Sequence, residues 1–114
     1  MEKEFKNYVE KEELKKAFML ALQIGSDFTE TLLYFHRKKF PNVDSETQYK
    51  KLLGEVHEFE LAISEEEKID EACDIIISAL GYLDRISDAK TEIYNKFCKV
   101  LERPYPDNFQ HKEE

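Results

Sequence analysis

Acidic side chains are the residues of this chain best suited to do chemistry: it carries 25 Asp and Glu against 17 Lys and Arg. Five acidic pairs stand three residues apart: Glu10/Glu13, Asp27/Glu30, Glu55/Glu58, Glu67/Asp70 and Glu71/Asp74. That spacing puts both members on one helix face. In so acidic a chain spacing alone has no discriminating power, and context decides. Asp74 is set in Ala72-Cys73-Asp74-Ile75-Ile76-Ile77-Ser78-Ala79-Leu80, the most apolar stretch of the sequence. A carboxylate there must either give up water at considerable cost or find a partner. Glu71 lies one turn earlier on the same face. Glu55 and Glu58 flank the apolar residues Leu52, Val56 and Phe59 of the preceding segment. A short link between the two segments predicts antiparallel packing, which brings both pairs to one level. At an effective dielectric of about 20, two like charges about 4 Å apart repel by about 4 kcal/mol, so a cation is needed among them. A Lys or Arg could neutralise one pair, whereas an all-oxygen cage suits Mg²⁺ or Mn²⁺. The other three pairs read as solvated surface.

Other chemistries find little support. No nucleophile elbow or cysteine-protease signature surrounds any Ser, Cys or His. Gly25, Gly54 and Gly81 stand alone, so there is no phosphate-cradling glycine loop. A di-iron carboxylate bundle wants Glu-x-x-His, and no acid here has a histidine three residues later. His36, His57 and His111 are scattered, and His57, between two glutamates, reads as an ordinary half-exposed side chain. Cys73 and Cys98 sit in apolar helical surroundings without metal-ligand spacing and read as buried free thiols.

The elements that must position the acids are helices. Three glycines and three prolines are too few for an all-β chain. Apolar residues recur at helical spacing from about Glu10 to Lys39, with a break expected at Gly25-Ser26-Asp27, where Ser26 is placed to cap a new start. Pro41 closes this segment. A second helix is expected from Ser45, with Ser45 and Gln48 at capping-box spacing, and a third from Ser64, with Glu67 as its capping-box partner. The third is apolar almost all round between Ala72 and Leu83, so burial on most sides is expected. A fourth spans Asp88 to Glu102, with Ile93, Phe97, Val100 and Leu101 inward, and Pro104 and Pro106 stop it.

The result is an all-α bundle of four to five helices in a single domain over 1–106, followed by a polar tail over 107–114. A chain of 114 residues buries a limited core, so completion by self-association, as a homodimer or homotetramer, is expected. The net charge of −8 disfavours nucleic acid and anionic membrane as partners. A phosphate substrate stays admissible, because a bound cation reverses the local field. With no apolar leader or 18-residue apolar run, a cytoplasmic location is the expectation.

Glu55-Val56-His57-Glu58, twelve intervening residues, then Glu71-Ala72-Cys73-Asp74 resembles the metal-binding signature of the MazG-like, all-α NTP pyrophosphohydrolases. Gln48-Tyr49-Lys50-Lys51-Leu52 resembles that family's polar lead-in, Asp74-Ile75-Ile76-Ile77 its acid followed by aliphatics, and Tyr94-Asn95-Lys96 with Arg103-Pro104 its last helix and exit. The match covers Gln48 to Tyr105. One departure is that Gly54 stands where the family has the first of two adjacent glutamates.

The resemblance implies Mg²⁺-dependent hydrolysis of a nucleoside triphosphate between its α- and β-phosphates, giving a monophosphate and pyrophosphate. It implies Glu55, Glu58, Glu71 and Asp74 as metal ligands, with Glu55 or Glu58 also contacting the attacking water. Lys51, Lys96 and Arg103 become candidates for phosphate contacts. Two alternatives stay open: a non-catalytic helical interaction module whose acids are surface only, and a relative of the phosphoribosyl-ATP pyrophosphohydrolase type.

Overall fold

A computed structural model describes residues 2–104, with side chains from residue 12 onward. The polar tail expected over 107–114, and Pro106 as a stop, lie outside the described residues. Five helices follow in order: α1 (Glu2–Gln23), α2 (Phe28–Lys39), α3 (Ser45–Leu61), α4 (Glu65–Ile86) and α5 (Ala89–Glu102). Among the described residues there is no strand, and no helix is long and apolar enough to cross a membrane.

The expected break at Gly25 separates α1 from α2. Gly25 has φ +90°, and its N–H donates to Leu22 O while Ser26 N–H donates to Ala21 O, both at 3.1 Å. These two bonds satisfy the last carbonyls of α1, with glycine in the left-handed position the motif requires. The cap of α2 is Asp27 rather than Ser26: its carboxylate accepts from Glu30 N–H at 2.9 Å. Lys90 at the start of α5 donates to the same carboxylate at 3.0 Å. Edge-on contacts of Phe18 with Phe28 and Phe35, at 6.4 and 5.7 Å between ring centres, hold α1 to α2.

The α3 cap also lies one residue from its expected place. Asp44, not Ser45, accepts the N–H of Thr47 at 2.8 Å. Gln48 is thereby free of capping and turns inward, where it is the most buried large side chain described. The Ser64–Glu67 capping box of α4 is present as expected, with Glu67 N–H donating to Ser64 Oγ and Ser64 N–H to Glu67 Oε1, each at 3.1 Å.

α3 and α4 form an antiparallel hairpin. Gln48 lies against Ser78, Tyr49 against Tyr82, and Glu55 against Glu71 and Asp74, so position falls along α4 as it rises along α3. The top of the hairpin is fastened to α2 by Arg85. Its guanidinium donates to Val43 O (2.8 Å), Gly81 O (2.9 Å), Phe40 O (3.1 Å) and His36 Nδ1 (3.2 Å). Arg37 adds a two-pronged pair with Asp84, at 2.8 and 2.9 Å.

The apolar core of one chain is small. Leu33 and Ala89 are its buried hydrophobic residues among those described. Ile93, Phe97, Val100 and Leu101 of α5, expected inward, are exposed, as are Ile76 and Ile77 of α4. Cys73 and Cys98 are free thiols but exposed rather than buried. All lie on faces of α4 and α5 left largely open by the described residues.

Candidate metal centre

Glu55 sits mid-way along α3, and Glu71 and Asp74 lie one turn apart on α4. All three are half-buried, and one carboxylate oxygen of each falls within 4.8 Å of the others. They are brought together by register. Packing of Gln48 on Ser78 sets α3 against α4, and two turns further on the same faces meet at Glu55 and Glu71. Glu58, one turn beyond Glu55, is itself exposed but interacts with both Glu55 and Glu71. Three of the four acids singled out in the sequence, Glu55, Glu71 and Asp74, thus form the cluster, and Glu58 adjoins it from an exposed position.

Crowding of carboxylates is expensive for their ionised forms. Burial, followed by a hydrogen bond and charge repulsion from Glu58, then by Asp74 and Glu55, pushes the Glu71 carboxyl up to about 7. Glu55 is also raised, by burial first, then by Asp74 and Glu58. Oε2 of Glu55 and Oε2 of Glu71 are buried without a hydrogen-bond partner. Most buried polar atoms are satisfied, so these two orphaned acceptors mark the acidic pocket as a place where a donor or a cation would be stabilised.

The donor set fits a small hard cation: only oxygens, anionic, from two rigid helices. Opposed ligands of Mg²⁺ stand about 4.2 Å apart when each bond is about 2.1 Å. Adjacent ligands stand about 3.0 Å apart at the same bond length, and the three carboxylate oxygens, all within 4.8 Å of one another, need side-chain adjustment to meet one ion.

Lys51 is the basic residue that acts on Glu55, one helical turn away. Its ammonium lies 4.6 Å above the centre of the Phe40 ring. Lys96 lines a different part of the surface, a groove shared with Leu83, Glu92, Ile93, Phe97 and Val100. Arg103 is the C-cap of α5. Neither is among the groups that perturb Glu55 or Glu71. Gly54 has open space around it: a Cβ there would meet no atom within 4 Å.

No family model matches the chain, and no curated protein or solved structure is significantly similar to it.

Sequence reasoning missed the polar support behind it. His36 is buried, and because an arginine has no acceptor, Nδ1 must accept from Arg85 and the ring proton sits on Nε2. Burial, then the Arg85 charge, hold the His36 pKa below its ordinary value. Gln48 donates to Ser78 O at 3.3 Å in the same node. The signal was available: Asp84 and Arg85 sit inside an apolar run, as Asp74 does.

Proposed function

We propose that Glu55, Glu58, Glu71 and Asp74 hold Mg²⁺, with Mn²⁺ as its substitute, and that the protein is a MazG-like nucleoside triphosphate pyrophosphohydrolase. The two buried, partnerless carboxylate oxygens carry this reading, because a solvated acidic face leaves no such atoms. Bound Mg²⁺ supplies charge neutralisation at the triphosphate oxygens. The chain's own residues do the rest. Glu55 or Glu58 orients the attacking water and accepts its proton as the new bond to the α-phosphorus forms and the bond to the pyrophosphate leaving group breaks. Lys51 is the cation best placed to meet a phosphate, since it already lies beside Glu55. Lys96 and Arg103 are further candidates on α5. A homodimer or homotetramer in the cytoplasm completes the proposal.

The test is release of pyrophosphate from a panel of NTPs and dNTPs with Mg²⁺. We expect turnover of at least one, its loss in EDTA, and a fall of orders of magnitude in Asp74→Asn. Without metal, Asp74→Asn should be as stable as wild type or more so, because repulsion among the carboxylates is relieved. If Asp74 were instead held by a basic partner, the same change would cost about 3–5 kcal/mol. A panel that yields no pyrophosphate, or an Asp74→Asn variant that melts far below wild type in EDTA, overturns the reading.

A further inference from the structure

Phe40, the C-cap of α2, is fastened at three points. Its N–H donates to His36 O at 2.9 Å, and its carbonyl accepts from Arg85 at 3.1 Å. The ring leans on the buried His36 imidazole, with 5.0 Å between centres. Over this half-buried ring lies the Lys51 ammonium, 4.6 Å from its centre, and the Lys39 ammonium stands at 5.4 Å. Lys51 has another place to go. Glu55 follows it by four residues on α3, so the two share a helix face, and Glu55 clusters with Glu71 and Asp74. The preceding lysine shows that α3 allows such a bridge: Lys50 meets Glu46, also four residues away, at 3.7 Å. A lysine ahead of its glutamate is the weaker order, but the crowded carboxylates offset this with their own pull. Among the described residues, Lys51 nonetheless forms no salt bridge.

We propose that Phe40 is a positioning residue whose ring holds the Lys51 ammonium beside the acidic cluster but out of it, so that the carboxylates stay open to a divalent cation. This rests on the metal reading above. Lys51 and Mg²⁺ compete for the same negative charge. Inside the cluster the lysine would neutralise Glu55 and would have to be displaced before the ion could bind. An ammonium on a flexible stem goes where negative charge is densest unless something else holds it. The face of an aromatic ring does so through its quadrupole, without engaging a carboxylate. The charge of Lys51 is felt on both sides of its position. It resists the rise that burial imposes on Glu55, and it adds to burial and Arg85 in holding His36 low. Lys39 shares the ring but has no acid to turn to, since Phe35 and Val43 stand four residues before and after it.

The test is a double-mutant cycle on Mg²⁺ affinity, read by calorimetry with no nucleotide present. Phe40→Leu should weaken Mg²⁺ binding about three-fold, the factor that an exposed contact between a cation and a ring is worth. In a Lys51→Met background the same change should leave affinity as it was. Phe40→Tyr, which keeps a ring, should match wild type, and Lys39→Met should leave the Phe40 effect in place. A purely structural role for Phe40 in the Arg85 clasp predicts equal losses in both backgrounds. Without metal, the ε-methylene protons of Lys51 should resonate upfield of those of Lys50 under the ring current of Phe40. That shift should vanish in Phe40→Leu, with helical content checked by circular dichroism. If Phe40→Leu does not fold, the wild-type Lys51 shift and the same cycle with Phe40→Met carry the test. Equal loss in both backgrounds, no loss in either, or an unshifted Lys51 in wild type overturns the proposal. Failure of every variant, wild type included, to bind Mg²⁺ overturns the metal reading itself and this role of Phe40 with it.

Discussion

The Glu71 carboxyl titrates out of its usual range because burial and Glu58 both resist its ionisation, and that gives a testable pH dependence. Its folded pKa, about 7, lies above the ordinary glutamate value of 4.5. Between these values the folded protein holds a proton that the unfolded chain has released. Stability in EDTA should therefore fall as pH rises through that window and level off above it. His36 acts in the opposite sense, since its folded pKa is lowered. The measurement is therefore the difference between wild type and Glu71→Gln. Urea midpoints from pH 5 to 7.5 should show wild type losing stability relative to Glu71→Gln as pH rises. A difference that is flat, or grows the other way, would mean that Glu71 is not held among the other acids. At this scale the sequence was informative where a charge interrupted an apolar run. Asp74 stood out for that reason, and Glu55, Glu58 and Glu71 followed from helix periodicity. Cys73 and Cys98 were misplaced for a related reason: apolar neighbours in sequence do not bury a side chain unless another element arrives to cover it.

Helix number and type were legible because periodicity, Pro41, Gly25 and the Ser64–Glu67 box all pointed the same way. Helix starts were less so. Where two capping residues adjoin, as at Ser26-Asp27 and Asp44-Ser45, aspartate took the cap in both cases, and the sequence offers no local reason to rank them. The shift at Asp44 matters for packing, because it leaves Gln48 to the interior beside His36 and Gly81. A methyl group at Gly81 would lie 2.7 Å from His36 Cε1 and 2.8 Å from Gln48 Nε2. The glutamine end can move, whereas the imidazole is pinned by Arg85. Gly81→Ala should therefore destabilise the protein: overpacking costs about 1–3 kcal/mol, and the gain in helix propensity returns about 1 kcal/mol. Gly54→Ala, in open space on α3, should hold stability or raise it by up to about 1 kcal/mol. Thermal denaturation of the two variants side by side separates these outcomes. Equal melting temperatures would show that the α2–α4 contact is looser than described.

Over the whole molecule, helices are plentiful and buried apolar surface is scarce, which composition alone foreshadowed through a high charged fraction and short length. What composition could not locate was the uncovered face, since that depends on how α5 leaves α4. The ties across elements are also unevenly distributed along α4. Ser78, Gly81, Asp84 and Arg85 are all bonded to side chains or carbonyls outside the helix or lie against them. Over 65–77, by contrast, the polar meeting with α3 is acid against acid, Glu71 and Asp74 with Glu55 and Glu58, which repel one another when ionised.

That asymmetry makes α4 a rod clamped at one end, with its carboxylates on the free end. Local opening costs least where few contacts must break, so amide deuterium uptake in metal-free protein should be faster over 65–74 than over 78–86. A ligand that binds only the closed form adds its binding free energy to that opening. Mg²⁺ should therefore slow exchange over 65–74 and the facing turn of α3 around Glu55, while leaving the clamped end nearly unchanged. Uniform slowing along the helix, or none, would mean that the ion acts elsewhere. In mechanical terms, the Arg85 clasp sets where the hairpin is hinged, and on the proposed reading the carboxylates are jaws that a bound cation would draw shut.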